Sequence, residues 1–166
     1  MAERRWISRD AAATEALGEA IGRAAFEGLV IALDGDLGTG KTCFVRGLAR
    51  GLGVPDPVTS PTYALMASHA GRLALHHFDA WMEGRERAFL SDGGAELLGG
   101  AGVSAVEWAA RVAPALPAER LELGFEHAGP TERRIRAAAR GSGERSARIA
   151  RILDGLPSIP DLDPQP

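Results

Sequence analysis

A glycine-rich segment at residues 35–42, GDLGTGKT, carries the residue types best suited to chemistry in this chain. Its spacing fits the phosphate-binding pattern of a glycine, four residues, a second glycine, lysine, and serine or threonine. Glycines let the backbone approach a phosphate closely, and the backbone N–H groups of such a loop point toward it. In this pattern Lys41 bridges the β- and γ-phosphates and the Thr42 hydroxyl binds Mg2+. The residues predicted to contact a nucleotide are Leu37, Gly38, Thr39, Gly40, Lys41 and Thr42.

Lys41 is the only lysine among 166 residues, and the other strongly basic residues are all arginine. Arginine can replace lysine on a solvated surface. Its planar fork, however, cannot enter a tight loop and place a compact charge between phosphates. We therefore interpret Lys41 as a residue whose chemistry cannot be exchanged, and we select it as both a nucleotide ligand and a catalytic residue.

The sequence on either side of the segment predicts the elements that must hold it. Residues 29–33, LVIAL, form a short apolar run that is typical of a strand buried on both faces. Residues 41–51 have the spacing of a helix. An earlier helix is predicted from Ser8 to Ala25, with Ser8 or Asp10 as its N-cap. The resulting order of strand, loop and helix is the context that a phosphate-binding loop requires.

Two acidic residues stand at the ends of apolar strands and are candidates to hold a metal ion. Asp79 follows LHHF, and Glu107 follows VSAV. In a parallel sheet both would open toward the side that carries the loop, although a single acid at a strand end can also simply face solvent. We select both as catalytic residues, Glu107 as a ligand of Mg2+ and Asp79 as a ligand acting through water. His76 and His77 alternate faces of their strand, and we interpret both as structural.

The remaining elements complete a single α/β domain at residues 1–156, with a mostly parallel central sheet flanked by helices, the fold class of P-loop NTPases. Strands are predicted at 63–68 and 72–78, a partly helical stretch at 84–98, a hairpin from 121–126 and 133–138, and a basic helix at 143–156. The arginines of the hairpin either form a solvated strand face or include one nucleotide contact, for which Arg134 is the candidate. Residues 157–166 contain four prolines and no periodicity, so we expect them to be disordered.

Composition narrows the class of protein. The length suits one domain, and 45% hydrophobic with 25% charged residues is ordinary for a globular protein. A net charge of -3 gives no basic footprint for tight binding to nucleic acid, so any contact with RNA is expected to run through partner proteins. Cys43 is the sole cysteine, which excludes an internal disulfide and favours a reducing compartment. Because the sequence shows neither a secretory signal nor an apolar run of ~20 residues, we predict a cytoplasmic protein that does not enter a membrane.

Four short motifs resemble, in their order and spacing, those of the bacterial TsaE family. They are GDLGTGKT at 35–42, SPTY at 60–63, HFD at 77–79 and EW at 107–108. The resemblance implies a P-loop domain that binds ATP and Mg2+ and joins the partner proteins TsaB and TsaD. In that family the partners transfer a threonylcarbamoyl group to adenosine 37 of tRNA. The chain departs from the family pattern after Asp79, where Trp81 and Met82 replace the usual tyrosine and arginine.

The resemblance also implies roles for individual residues. Thr42 and Glu107 would bind Mg2+, and Asp79 lies in an acidic switch motif that hydrolysis requires. The start of the N-terminal helix would pack near the nucleotide base, which makes Ala11 a candidate contact. The segment at 60–62 would sense the γ-phosphate, and the aromatic residue after Glu107 would either gate the site or only pack beside it. The switch candidates are Ser60, Pro61, Thr62 and Trp108.

Three classes of function compete for such a site. The first, which we expect, is a Mg2+-dependent ATPase that is slow by itself and stimulated by partners, because no arginine finger is evident in the sequence. The second is a small-molecule kinase of the P-loop class, which would need an arginine-rich lid and an acceptor pocket. The third is a GTP-dependent switch. It is excluded because the chain has no asparagine and no second lysine for an Asn-Lys-x-Asp guanine-binding motif.

Overall fold

One mixed sheet organises the fold of this computed structural model, which describes residues 2–61, 64–82, 84–91 and 93–166, with only the backbone of residues 85, 86 and 90. Its strands within these ranges are β1 (Glu3–Ser8), β2 (Val30–Gly35), β3 (Met66–His69), β4 (Leu75–Asp79), β5 (Val103–Glu107), β6 (Arg120–His127), β7 (Arg133–Arg140) and β8 (Leu162–Gln165). They lie in the order β3-β4-β5-β2-β6-β7-β1-β8. The central strands β4, β5, β2 and β6 are parallel, and the remaining pairs are antiparallel.

Helices cover parts of both faces of the sheet. They are α1 (Ala11–Ala24), α2 (Lys41–Gly51), α3 (Arg85–Ser91), α4 (Gly94–Leu97) and α5 (Glu144–Asp154), with a 3-10 helix at Ala109–Ala115. The first two and α5 pack into the main core, whereas α3 and the 3-10 helix pack over a smaller core on the opposite face. None of the helices in the described ranges is long and apolar enough to cross a membrane. The predicted α/β class, with parallel central strands and the antiparallel β6–β7 hairpin, is confirmed.

Strand β2 is buried on both faces, as its uninterrupted apolar run predicts. Ile31 and Leu33 belong to the main core and Ala32 to the smaller one, because successive side chains of a strand point to opposite faces. Pairing with β5 on one side and β6 on the other places β2 in the middle of the parallel strands. The carboxyl end of β2 therefore places the glycine-rich loop at the edge of the sheet where β4 and β5 also end.

Glycines on both helices bring α1 and α2 into direct backbone contact. Gly18 and Gly22 lie on α1, and Gly47 and Gly51 lie on α2. At each of the four, an added Cβ would stand well under 3 Å from a backbone atom of the other helix. No other residue leaves room for this approach. The packing fixes α1 against the helix that begins at Lys41.

Replacing one of these glycines tests the packing. Gly47→Ala is expected to lower the free energy of unfolding by about 3 kcal/mol, because the new methyl group would overlap the carbonyl oxygen of Glu15. Urea denaturation provides the measurement. Gly124→Ala on β6 is the matched control, since its Cβ would meet no atom within 4 Å, and it should change the free energy by less than about 0.5 kcal/mol. Equal stability of the two variants would contradict the close contact.

The edge formed by β1 and β8 differs from what the sequence predicts. The predicted first helix begins at Ala11 rather than at Ser8, because Asp10 is its N-cap and accepts a hydrogen bond from the Ala13 N–H at 2.8 Å. Residues 3–8, before this helix, form strand β1. The expected disorder of residues 157–166 is wrong, since residues 162–165 form β8 along β1, with Leu162 buried. An edge strand tolerates Pro164 because it need not donate from both sides.

Smaller differences concern element boundaries. The partly helical stretch predicted at 84–98 is divided into α3 and α4, and the predicted helix at 143–156 is α5, at 144–154. Strand β4 begins at Leu75 rather than at residue 72 and includes Asp79. The strand predicted at 63–68 is β3, at 66–69, and residue 63 lies outside the described ranges.

Candidate nucleotide-binding site

The glycine-rich loop joins the carboxyl end of β2 directly to the first residue of α2. Gly38 and Gly40 have φ angles of 76° and 104°, a left-handed conformation that favours glycine. Gly40 is the N-cap of α2 and leaves the first N–H groups of the helix without a side-chain cap. These N–H groups and the positive end of the helix dipole suit an anion. Leu37, at the tip, is 72% exposed, so its backbone is the part suited to bind phosphate.

Lys41 lies folded into the loop that precedes it. Its Nζ donates to the carbonyl oxygens of Gly35 and Asp36, the latter at 3.0 Å, and stands 4.1 Å from the ring centroid of Trp108. Burial lowers the pKa of Lys41, an effect that outweighs the attraction of the nearby carboxylates. The lysine charge is therefore held inside the loop by backbone carbonyl oxygens.

Thr42, Glu107 and His77 form a hydrogen-bonded cluster beside the loop. The Thr42 hydroxyl donates to Oε1 of Glu107 at 2.9 Å. Nε2 of His77 lies 2.9 Å from the same oxygen, and it must be the donor because a carboxylate only accepts. Glu107 is 3% exposed and His77 is fully buried. Glu107 thus opens toward the loop, as predicted for an acid at a strand end, and its role with Thr42 in binding Mg2+ stays a prediction.

Asp79 ends β4 next to Glu107 on β5, where the two residues are paired in register. Its carboxylate accepts hydrogen bonds from the Ser60 hydroxyl and from the backbone N–H of Trp81, the second at 2.9 Å. The first predicted switch segment and the acidic motif are therefore in contact. Pro61 is buried, and Thr62 lies outside the described residues.

The oxygen ligands at this edge suit a small hard cation such as Mg2+. The Thr42 hydroxyl and the carboxylates of Glu107 and Asp79 line one cavity with the loop. Within the described residues, no group of three or more histidine, cysteine, aspartate or glutamate side chains could hold a metal ion by itself. Mg2+ commonly takes one or two protein ligands and completes its shell with substrate phosphates and water. The donor set therefore fits Mg2+ that arrives with a nucleotide.

Two adjoining cavities follow the loop. The larger, about 400 Å³, contains Lys41, Thr42, Asp79 and Glu107 in its wall. The smaller, about 190 Å³, is lined by the start of α1, including Ala11, and by residues of the β6–β7 hairpin. Gly38, Gly40, Cys43 and Arg46 line both. The start of α1, where Ala11 is predicted to contact the base, therefore borders the same loop as Lys41 and Thr42.

A still larger cavity, of about 580 Å³, borders the strand end and the start of the loop but contains neither Lys41 nor Thr42. Its wall includes Arg134, which is paired with Glu126 at 3.1 Å. Arginine and carboxylate side chains are mixed there, as on a solvated sheet face. We therefore place the candidate site in the two smaller cavities. The prediction that Arg134 contacts nucleotide stays a prediction.

Arg133, the neighbour of Arg134, holds the tip of the loop. Its guanidinium donates to the carbonyl oxygen of Gly38 at 3.1 Å, and Nε2 of His127 lies 3.3 Å from the carbonyl oxygen of Leu37. Bonds to these carbonyls fix the orientation of the peptide units whose N–H groups would face phosphate. Arg133 also lines the smaller cavity. In the sequence Arg133 is one of several hairpin arginines, and nothing there distinguishes it from Arg134.

Single substitutions of Arg133 and Arg134 distinguish the contributions of the two side chains to nucleotide binding. Arg133→Ala is expected to weaken nucleotide binding about tenfold, because it removes a charge-assisted bond to the loop. Arg134→Ala, which removes the same charge one residue away and breaks only an exposed ion pair, should weaken it less than about twofold. Isothermal titration calorimetry measures both. A larger loss in Arg134→Ala would support the original selection of Arg134 instead.

Trp108 connects the loop to the segment after Asp79. Its φ of 57° is in the left-handed region, which is uncommon for a bulky residue and is found at sites held by their surroundings. Nζ of Lys41 lies over its ring, and the guanidinium of Arg111 lies 5.1 Å from the ring centroid. Arg111 in turn donates to the carbonyl oxygen of Trp81. Trp108 therefore contacts the loop lysine in addition to packing on the smaller core, and its role as a switch residue stays a prediction.

The geometry defines a mixed α/β domain with a glycine-rich loop and a hydroxyl–carboxylate pair at the carboxyl edge of parallel strands. A family model described as "Threonylcarbamoyl adenosine biosynthesis protein TsaE" matches residues 8–135. The chain therefore belongs to the TsaE family, and the predicted resemblance is confirmed.

Individual relatives agree with this assignment. A protein of Treponema pallidum named tRNA threonylcarbamoyladenosine biosynthesis protein TsaE is 40% identical over 134 residues, 81% of this chain and 99% of the relative. One of the same name from Bacillus subtilis is 37% identical over 144 residues, 86% of this chain and 89% of the relative. The crystal structure of Bacillus subtilis YdiB has a TM-score of 0.76 at 31% identity, covering 93% of this chain and 97% of that chain.

Proposed function

We propose that this chain is a P-loop ATPase that supports threonylcarbamoyladenosine formation in tRNA. The observation that carries the proposal is the 2.9 Å hydrogen bond between Thr42 and Glu107, beside a loop that contains the only lysine. A glycine-rich loop alone suits many anions. A hydroxyl–carboxylate pair at its end is the arrangement that binding of a nucleotide with Mg2+ requires.

ATP is the proposed nucleotide. Its phosphates would lie on the backbone N–H groups of residues 37–42, and Lys41 would leave its carbonyl partners to bridge the β- and γ-phosphates. The base would occupy the smaller cavity beside Ala11. A guanine-binding motif of the Asn-Lys-x-Asp type is excluded by the absence of asparagine from the sequence.

Glu107 and Asp79, the acids at the strand ends, would have different roles in hydrolysis. Thr42 and Glu107 would hold Mg2+, which when bound neutralises charge that develops on the phosphates. Asp79 is held by Ser60 and by the Trp81 N–H in the wall of the same cavity, where it would orient the attacking water. Fixed charges of this kind supply most of the rate in phosphoryl transfer.

The arginines beside the phosphate cavity already have partners, which supports slow hydrolysis by the isolated chain. Arg46 lines the cavity but is paired with Glu15 at 3.3 Å. Arg111 stacks on Trp108 and donates to a backbone carbonyl. A cation that stabilises the transition state would therefore come from a partner, or from an arginine that a partner releases.

The role in tRNA modification follows from the family, whose relatives in Treponema pallidum and Bacillus subtilis are named for it. A pathway of this kind implies partner proteins, and we propose that these are of the TsaB and TsaD type. With a net charge of -3, the chain would meet tRNA through the complex rather than by its own surface.

Reconstitution tests the proposal. The purified chain is combined with TsaB- and TsaD-type proteins, ATP, Mg2+, a threonylcarbamoyl donor and unmodified tRNA. We expect ATP-dependent co-elution of the three proteins, and modified adenosine 37 detected by mass spectrometry of tRNA digests. Unmodified tRNA in the presence of an active TsaB–TsaD pair would contradict the role. Phosphorylation of a small acceptor would support the alternative, a P-loop kinase.

A further inference from the structure

His77 is a fully buried histidine on the face of β4 that points toward the candidate site. It lies two residues before Asp79, so the two side chains share one face of the strand. Its neighbour His76 points to the opposite face and bonds Ser68 at 2.8 Å. The two adjacent histidines therefore have different surroundings, and only His77 touches the site.

One ring nitrogen of His77 is used and the other is not. Nε2 donates to Oε1 of Glu107 at 2.9 Å. Nδ1 is buried and has no hydrogen-bond partner among the described residues. A buried polar atom without a partner destabilises a fold, and an apolar side chain of similar size would avoid that cost. Stability alone therefore does not account for a histidine at this position, whereas its bond to Glu107 does.

The bond restricts the carboxylate that faces the loop. Oε1 of Glu107 accepts from both His77 and Thr42, and these two donors approach from different elements, β4 and α2. The terminal torsion of a glutamate is otherwise soft, so an unrestrained carboxylate samples many orientations. Oε2 accepts no hydrogen bond within the described part of the chain, which leaves it as the oxygen available to a cation.

We propose that His77 is a positioning residue that orients the Glu107 carboxylate for Mg2+. The inference rests on the proposed function and specifies how this chain holds its metal ligand. His77 itself touches neither nucleotide nor metal. Partners of this kind commonly change metal affinity by about 10- to 100-fold when they are removed.

Two amide substitutions separate orientation from packing. His77→Gln places its amide nitrogen the same number of bonds from the backbone as Nε2 and keeps the donor. His77→Asn is shorter and loses contact with Glu107, although it is equally polar. His76→Asn is the matched control on the other face of β4. All are compared by thermal unfolding before binding is measured.

The readout is the Mg2+ concentration that half-maximally enhances binding of a fluorescent ADP analogue. We expect about a tenfold increase for His77→Asn, less than about a threefold change for His77→Gln and His76→Asn, and equal binding by all variants in EDTA. Equal Mg2+ responses of His77→Asn and His77→Gln would overturn the inference about His77 but not the proposed function. Absence of nucleotide binding by the wild type would overturn the proposed function and, with it, the inference.

A second measurement on the wild-type protein does not depend on whether His77→Asn folds. A buried imidazole N–H that is bonded to a carboxylate should give a slowly exchanging proton signal in ¹⁵N-edited NMR spectra, assigned by its loss in His77→Gln. We expect this signal to shift when Mg2+ is added to the ADP-bound protein and not when Mg2+ is added alone. A signal that is absent, or that ignores Mg2+ with ADP present, would overturn the inference.

Discussion

Lys41→Ala is expected to abolish measurable nucleotide binding. The ammonium group is the one compact positive charge inside the loop, where it bonds the carbonyl oxygens of Gly35 and Asp36. In the bound state it would exchange these partners for phosphate oxygens. Each charge-assisted hydrogen bond is worth roughly 1.5–3 kcal/mol, so losing two corresponds to at least about a 100-fold loss of affinity. Titration with a fluorescent ATP analogue measures the change.

A second substitution of Lys41, which removes its charge but fills the same space, serves as a control for folding. Burial lowers the pKa of Lys41, so at neutral pH its charged form destabilises the folded protein. Lys41→Met, which fills the same space without charge, should therefore unfold at a temperature equal to or above that of the wild type. The difference should disappear as the pH rises toward the ordinary lysine value of 10.5. Unchanged ATP affinity in Lys41→Ala would refute the assignment of the loop.

Glu107→Gln is expected to lower Mg2+-dependent ATP hydrolysis on the order of 100-fold while leaving metal-free nucleotide binding within about threefold of the wild type. The amide keeps an oxygen that accepts from Thr42 and His77, so the local structure is retained. What it loses is the negative charge that would hold the metal. Phosphate release across a Mg2+ titration, compared with binding in EDTA, separates the two effects.

A carboxylate elsewhere on the sheet provides the comparison. Glu122 on β6 is paired with Arg120 at 2.6 Å and with Arg140 at 2.5 Å, and it lines neither of the two candidate cavities. Glu122→Gln should leave the Mg2+ dependence unchanged. If Glu107→Gln reduced binding in EDTA as strongly as it reduced turnover, Glu107 would be a nucleotide ligand or a structural residue rather than a metal ligand.

The strand, loop and helix at the centre of the fold were predicted correctly from short stretches of sequence. The apolar run of β2, the glycine loop and the helix at Lys41–Gly51 are each encoded within a few residues, so they could be read without knowing the rest of the fold. The approach of Glu107 to Thr42 also followed from sequence, because acids at the ends of parallel strands meet at one edge of a sheet.

What the sequence did not reveal depends on partners distant along the chain. Strand β1 is stabilised by pairing with β7 on one side and β8 on the other, and neither β1 nor β8 has the clear alternation of a half-buried strand. Arg133 and Arg134 look equivalent in the sequence, and only the hairpin's position beside the loop distinguishes them. His77 was interpreted as structural, because its contact with Glu107 joins two strands that are distant along the chain.

The contact between α1 and α2 determines which parts of the site can move. α1 begins at Ala11 beside the smaller cavity, and α2 begins at Lys41 beside the larger one. The close contact of their glycine backbones joins the walls that α1 and α2 contribute to the two cavities into one rigid unit. The shape of this unit is set during folding rather than by the nucleotide. Under the proposed function, ADP would therefore exchange for ATP without separation of these helices. Under the proposed function, any opening of the site would fall to the opposite wall of the larger cavity, which includes Ser60 and Asp79, and a partner that contacted this wall would control access to the nucleotide.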